Sequence, residues 1–275
     1  MKHQRRELNV FSMSALDLFA SGMGAFVLLA VTVMPFFPNT ETSSQRENMQ
    51  AELESAQSRS EDLEDLVMTL SQATFRIPTL DIVICLDITG SMYGQIDGLK
   101  AEISALSEVL DKISPSVGIG IVAFGDRRYR QPIYDLDITE TTNMTTIQSF
   151  VDDLTPGMND PDSNLNSDGP EAVTTALEHA TTLSWRSESE TRFIIVITDN
   201  AAYPDRETAA ITAATSFSSV EDQHVSTVRA QIRGFADDDQ EALRFLKELA
   251  EAGQGNFVDA AGGESILSSL LLAIL

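Results

Sequence analysis

The sequence predicts a doubly wound α/β domain with a mostly parallel sheet, preceded by one transmembrane helix and a short coiled-coil helix. Three observations lead there. Short apolar runs such as Leu80–Leu86 and Val117–Phe124 read as strands buried on both faces, and they alternate with stretches of helical spacing. An uncharged run extends from Leu18 to Phe37, long enough for a bilayer, which needs roughly 20 apolar residues. Between them, Met49, Leu53, Ala56, Ser60, Leu63, Val67 and Leu70 recur at alternating spacings of 4 and 3, which keeps one seam on one side of a helix.

Residues 1–14 form a basic tail with Lys2, Arg5 and Arg6 offset by Glu7. Basic residues beside a span stay in the cytoplasm. The expected order is therefore a cytoplasmic tail at 1–14, a span at 15–38, a linker and coiled-coil helix at 39–76, and an extracytoplasmic domain at 77–275. For a Gram-negative bacterium this places the chain in the inner membrane with its domain in the periplasm. A cleaved signal peptide is the competing reading, but its apolar core runs only about 7–15 residues. Here the run is longer and ends in Pro35-Phe36-Phe37-Pro38, a poor cleavage site. The seam at 49–70 favours a parallel dimer, with a single amphipathic helix as the alternative.

Within 77–275 the elements follow in order. Leu80–Leu86 is a strand, and Ile96, Leu99, Ile103, Leu106, Leu110 and Ile113 mark a helix. Val117–Phe124 is a second buried strand, and the alternating Ile133–Ile138 suits a sheet edge. Met144–Leu154 and Glu171–Leu183 read as helices flanking a loop. Arg192–Thr198 is a central strand, Arg206–Val220 a helix and His224–Ile232 a strand. A helix at Asp237–Ala252, a short strand at Gly255–Asp259 and an amphipathic helix at Glu264–Leu275 close the chain.

The net charge is −24; the basic tail contributes +2, so the remainder carries −26. A body this acidic lacks the basic face that nucleic-acid binding requires but is compatible with divalent cations. The single cysteine, Cys85, lies in an apolar strand and reads as a small core residue. The histidines, His3, His179 and His224, accompany no nucleophile motif and no zinc spacing, and no glycine-rich phosphate loop is present. The expectation is that the chain is not an enzyme.

Three loops gather oxygen donors. Asp87-Ile88-Thr89-Gly90-Ser91 follows the first strand, and its alternate residues Asp87, Thr89 and Ser91 offer one carboxylate and two hydroxyls. Ser167-Asp168-Gly169-Pro170-Glu171 stands at the start of a helix, and Asp199 ends the strand Phe193–Thr198. Hard oxygen donors with few carboxylates suit Mg²⁺, and less well Ca²⁺ or Mn²⁺. Helix and turn capping is the alternative role for such residues. The acidic clusters Asp160–Asp162 and Asp237–Asp239 read as solvated loops.

From about Thr79 to Leu275 these motifs resemble the von Willebrand factor A domain, whose metal-ion-dependent adhesion site uses Asp-x-Ser-x-Ser, a second-loop residue and a third-loop Asp. The resemblance implies that Asp87, Thr89 and Ser91 hold the ion directly or through water. It places Asp168 at the second-loop position, with Ser167 as a rival, and makes Asp199 a water-mediated ligand. Thr89 stands where the family has Ser, and Asp168 where it has Thr or Asp.

Asp17 sits at the head of the apolar run, where a carboxylate is costly and usually functional. Small residues Ala20, Ser21, Gly22, Gly24 and Ala25 follow it and permit close helix contact. Together with the basic tail, this segment resembles the single span of the ion-driven subunits MotB, ExbD and TolR. That resemblance implies that Asp17 takes up and releases the translocated ion, and that two copies sit inside a pentamer of a MotA/ExbB/TolQ-like partner. The A-type domain would then grip an envelope partner in place of the family's usual C-terminal domain. A plain anchored adhesion or assembly module, in which Asp17 is dispensable, is the other expectation.

Overall fold

The computed structural model describes residues 77–158, 160, 170–230, 240–260 and 266–274. The expected span at 15–38, the coiled-coil helix within 39–76, and the site candidates Asp17, Ser167 and Asp168 lie outside the described residues. Among the described residues, no helix is long and apolar enough to cross a membrane.

Six strands form one sheet in the order β3-β2-β1-β4-β5-β6. They are β1 Leu80–Asp87, β2 Val117–Phe124, β3 Ile133–Glu140, β4 Thr191–Thr198, β5 Gln223–Ala230 and β6 Gln254–Ala260. All pairings are parallel except that of β3 with β2. The antiparallel strand lies at the edge, as its alternating pattern requires. Every residue of β1 and β2 is buried, because helices cover both faces of a parallel sheet.

The helices are α1 Tyr93–Ile113, α2 Met144–Asp153, α3 Val173–Ala180, α4 Glu207–Phe217, α5 Gln240–Ala252 and α6 Ile266–Ile274. Side chains of a strand alternate between faces, and β1 splits accordingly. Leu80, Ile82, Ile84 and Leu86 join the core built with α1, α2 and α6. Val83 and Cys85 join the core built with α3, α4 and α5. Burial pushes the Cys85 thiol up and keeps it unreactive.

Several boundaries differ from the sequence reading. The helix expected at Glu171–Leu183 is only Val173–Ala180, because Glu171 is drawn into a parallel bridge with Ala202 and donates its N–H to Ala201 O at 2.8 Å. Residues 181–183 leave the helix through turns: Thr182 N–H donates to His179 O at 2.9 Å. The described part of the strand expected to reach Ile232 ends at Ala230.

At the edge opposite the strand ends that face the site, β1 opens on a buried ion pair. Asp81 is fully buried. Arg186 donates to it from Nε at 2.6 Å and from its backbone N–H at 3.0 Å, and its other guanidinium nitrogens reach Ser116 Oγ and Leu80 O, each at 3.0 Å. Gly118 makes room for this pair. A Cβ there would stand 2.5 Å from Asp81 Oδ1 and 2.9 Å from Arg186 Nε. A glycine inside a strand often marks such a close approach.

Candidate metal centre

In an open α/β sheet, ligands bind outside the carboxyl ends of the strands where the order reverses. Here β1 is followed by β2 on one side and pairs with β4 on the other, so the switch point lies at the ends of β1 and β4. Asp87 closes β1 and Thr198 closes β4.

Asp87 is completely buried and organises the loop after it. Its Oδ1 accepts the Thr89 backbone N–H at 2.8 Å and the Thr89 hydroxyl at 2.7 Å. Its Oδ2 accepts the Thr198 hydroxyl at 2.7 Å. Thr89 Oγ1 and Ser91 Oγ stand 3.1 Å apart. The fold thus brings Asp87, Thr89 and Ser91 together as the alternating motif requires. Thr198, one residue before the expected Asp199, joins them across the sheet. Replacing Thr198 by Val removes a hydrogen bond to a buried carboxylate while keeping the shape. A loss of about 1.5–3 kcal/mol is expected, read as a fall in the denaturation midpoint with an unchanged slope.

Glu171 is a member of this cluster that spacing did not single out. It is only 3% exposed, and its Oε2 is buried without a hydrogen bond from any described residue. Burial drives its carboxyl well above the usual carboxylate range, and the charges of Asp87, Asp199 and Asp126 add to the rise. Asp87 is raised for the same first reason, burial, with Asp199 as the repelling neighbour. Three acids therefore share one desolvated corner. A signal was present in the sequence: Glu171 follows Pro170 at a helix start, beside the second-loop motif.

Asp126, after β2, forms the adjacent wall. Tyr203 donates its hydroxyl to Asp126 Oδ1 at 2.5 Å, and Arg128 donates its N–H to the same oxygen and its Nε to Oδ2, both at 2.9 Å. Burial alone would raise Asp126, but these bonds outweigh it and hold the carboxyl below its usual range. Asp160, expected in a solvated loop, is half-buried, and its charge reaches the Tyr129 hydroxyl. Its loop is tied back to the first motif, because Gly157 N–H donates to Ile88 O at 2.7 Å.

Among the described residues, no three His, Cys, Asp or Glu side chains form a ready metal-ligating group. The donor set here is of another kind: hydroxyls of Thr89 and Ser91 gathered by one carboxylate, with further carboxylates behind. A buried Glu171 oxygen without a hydrogen bond, beside mutually repelling acids, fits a hard divalent cation, which would offset their repulsion.

Residues 82–201 match the family model for the von Willebrand factor type A domain. The chain carries an A domain. The match ends two residues beyond Asp199 and takes in most of β1 and all of β2, β3 and β4, so it includes every described candidate of the metal centre. A search of curated proteins gives no match. Among solved structures, the A domain of this chain is similar to BatB of Bacteroides thetaiotaomicron, at 23% identity over 71% of this chain and 97% of that one, with a TM-score of 0.49. An aerotolerance-related membrane protein of Bacteroides fragilis gives 22% identity over 71% and 98%, with a TM-score of 0.49. The pilus adhesin SpaC of Lactobacillus rhamnosus GG gives 13% identity over 71% of this chain and 29% of that one, with a TM-score of 0.52. At such identity the likeness to SpaC concerns the fold.

Proposed function

We propose that this chain is a membrane-anchored binding module whose A domain grips a protein partner through a divalent cation, Mg²⁺ first, at the carboxyl ends of β1 and β4. One observation carries the reading. Asp87 gathers the hydroxyls of Thr89 and Thr198, Ser91 stands against Thr89, and Glu171 lies behind them with a buried oxygen accepting no described hydrogen bond. Thr89, Ser91 and Asp87 would hold the ion directly or through water, and Asp199 through water. Asp168 is the second-loop candidate, with Ser167 as its rival. The ion would supply a fixed positive charge able to accept an oxygen from the partner. Asp87 keeps the two threonine hydroxyls oriented, and the buried β1 floor keeps bulk water from competing below the site.

The span at 15–38 would anchor the module in a bacterial inner membrane, with the tail cytoplasmic and the A domain periplasmic. The helix at 49–70 would pair two copies. The reading assigns the chain no catalytic step. In cross-linked membranes, partner capture by the full chain should be lost on chelation and restored by Mg²⁺. It should be absent in a Ser91→Ala chain that still inserts. Capture that is indifferent to chelation and to Ser91 would refute the reading.

A second reading rests on Asp17, a carboxylate at the head of an uncharged run. The same module would be the MotB-like subunit of an ion-driven motor, two copies inside a pentamer of a MotA/ExbB/TolQ-like protein, passing force to the A domain. Asp17→Asn should then abolish ion flux in reconstituted vesicles of the co-expressed pair while leaving insertion intact. Undiminished flux would leave only the anchored module.

A further inference from the structure

The chain carries 18 basic residues against 42 acidic ones, yet three arginines fall within four positions, Arg127, Arg128 and Arg130, and all three are exposed. They lie on the loop between β2 and β3, at the same carboxyl edge as Asp87. The loop is closed by two backbone bonds, Gly125 N–H to Pro132 O and Tyr129 N–H to Asp126 O, both 2.9 Å.

Tyr129 explains how the loop is oriented. It is buried between exposed neighbours, and its ring fills the space that a side chain on Gly125 would need. Burial raises its hydroxyl far above the ordinary tyrosine value, and the charges of Asp160, Glu171, Asp87 and Asp126 raise it further. Tyr129 is thus turned inward with its hydroxyl buried, while Arg128 and Arg130 face water. Two of the arginines are braced. The Arg127 guanidinium lies 3.7 Å from the centre of the Tyr203 ring and 3.6 Å from Asp205, and Arg128 is held by Asp126. A braced guanidinium loses less freedom when it binds an anion than a mobile one.

We propose that Arg127, Arg128 and Arg130 form a second contact beside the metal centre, and that the partner segment seated there is an acidic polypeptide. This deepens the binding reading above and rests on it. With 42 acidic against 18 basic residues, most of the chain would repel such a segment, so the arginine loop sets where and in which direction it docks on the A domain. Charges at the rim of an interface act chiefly on association rate and its salt dependence.

The test uses the full chain in detergent with Mg²⁺ and a fluorescent oligoglutamate peptide. Stopped-flow anisotropy gives the association rate, and thermal shift gives the response to Mg²⁺. The double variant Arg127→Ala/Arg130→Ala should slow association on the order of tenfold and flatten its salt dependence, while the Mg²⁺ shift persists. Arg128→Lys, which keeps the charge beside Asp126, should behave nearly as the wild type. If the peptide binds equally well with and without the two arginines, or does not bind while the Mg²⁺ shift is present, the rim proposal is wrong and the metal reading stands. If the Mg²⁺ shift is absent in the wild type, the metal reading fails; arginine-dependent peptide binding would then uphold the rim alone. Tighter binding to phosphatidylglycerol vesicles or inorganic phosphate than to oligoglutamate would overturn the polypeptide assignment.

Discussion

Replacing Arg186 by Met is expected to destabilise the A domain by about 3–5 kcal/mol, the cost of leaving one member of a buried ion pair uncompensated. Asp81 is fully buried and Arg186 is 11% exposed, so neither charge can be recovered by water. Burial raises the Asp81 carboxyl above its ordinary value, and the hydrogen bonds and charge of Arg186 oppose that rise without cancelling it. The folded protein thus binds this proton more readily than the unfolded one. Its contribution to stability is complete below the unfolded aspartate value of about 3.9 and is lost as pH rises through the higher folded value. The Arg186→Met penalty should accordingly be largest at neutral pH and shrink toward pH 4. A paired Asp81→Leu/Arg186→Met variant should recover most of the loss, because apolar replacement of a whole buried pair is often neutral or stabilising. Urea denaturation at pH 7 and pH 4.5 checks both statements. A penalty independent of pH would contradict the assignment.

The second large effect is at Asp87. Asp87→Ala removes the carboxylate that holds Thr89 and Thr198, so the hydroxyls lose their common anchor and the site its innermost charge. Mg²⁺ affinity should fall by at least 100-fold, beyond the 10–100-fold typical of losing an outer support to a ligand. Stability without metal should fall by no more than about 1–3 kcal/mol, because the hydrogen bonds lost by Thr89 and Thr198 are partly offset by removing a charge that burial and Asp199 disfavour. The pairing of lost metal response with retained fold separates a ligand from a merely structural acid. Thermal melts with EDTA and with Mg²⁺ read both at once.

The strands were legible because parallel strands buried on both faces leave continuous apolar runs. Val117–Phe124 has the bounds that its sequence suggests, and β3 shows its edge position through alternation. The alternating Asp87, Thr89 and Ser91 were legible for a local reason: their spacing alone folds them into one turn. Glu171, Thr198 and Asp126 were harder. Thr198 comes from the end of β4, Asp126 from the loop after β2 and Glu171 from the bridge before α3, and their meeting depends on the strand order, which no local pattern states. Glu171 also looked like an ordinary acid at a helix start. Only the isolated bridge to Ala202 shows that it is held against the loop after β4 and buried there. The ion pair of Asp81 and Arg186 joins residues 105 apart, and Gly118 within β2 leaves the space that the pair occupies.

The central claim is that the carboxyl edge of β1 and β4 binds one divalent cation through Asp87, Thr89 and Ser91. Titration calorimetry of the full chain in detergent with Mg²⁺ tests it most directly, after chelator has been removed. The account predicts saturable binding of about one ion per chain, abolished by Asp87→Ala and strongly weakened by Thr89→Ala/Ser91→Ala. Absence of binding in the wild type, or equal binding in the Asp87→Ala chain, would contradict it.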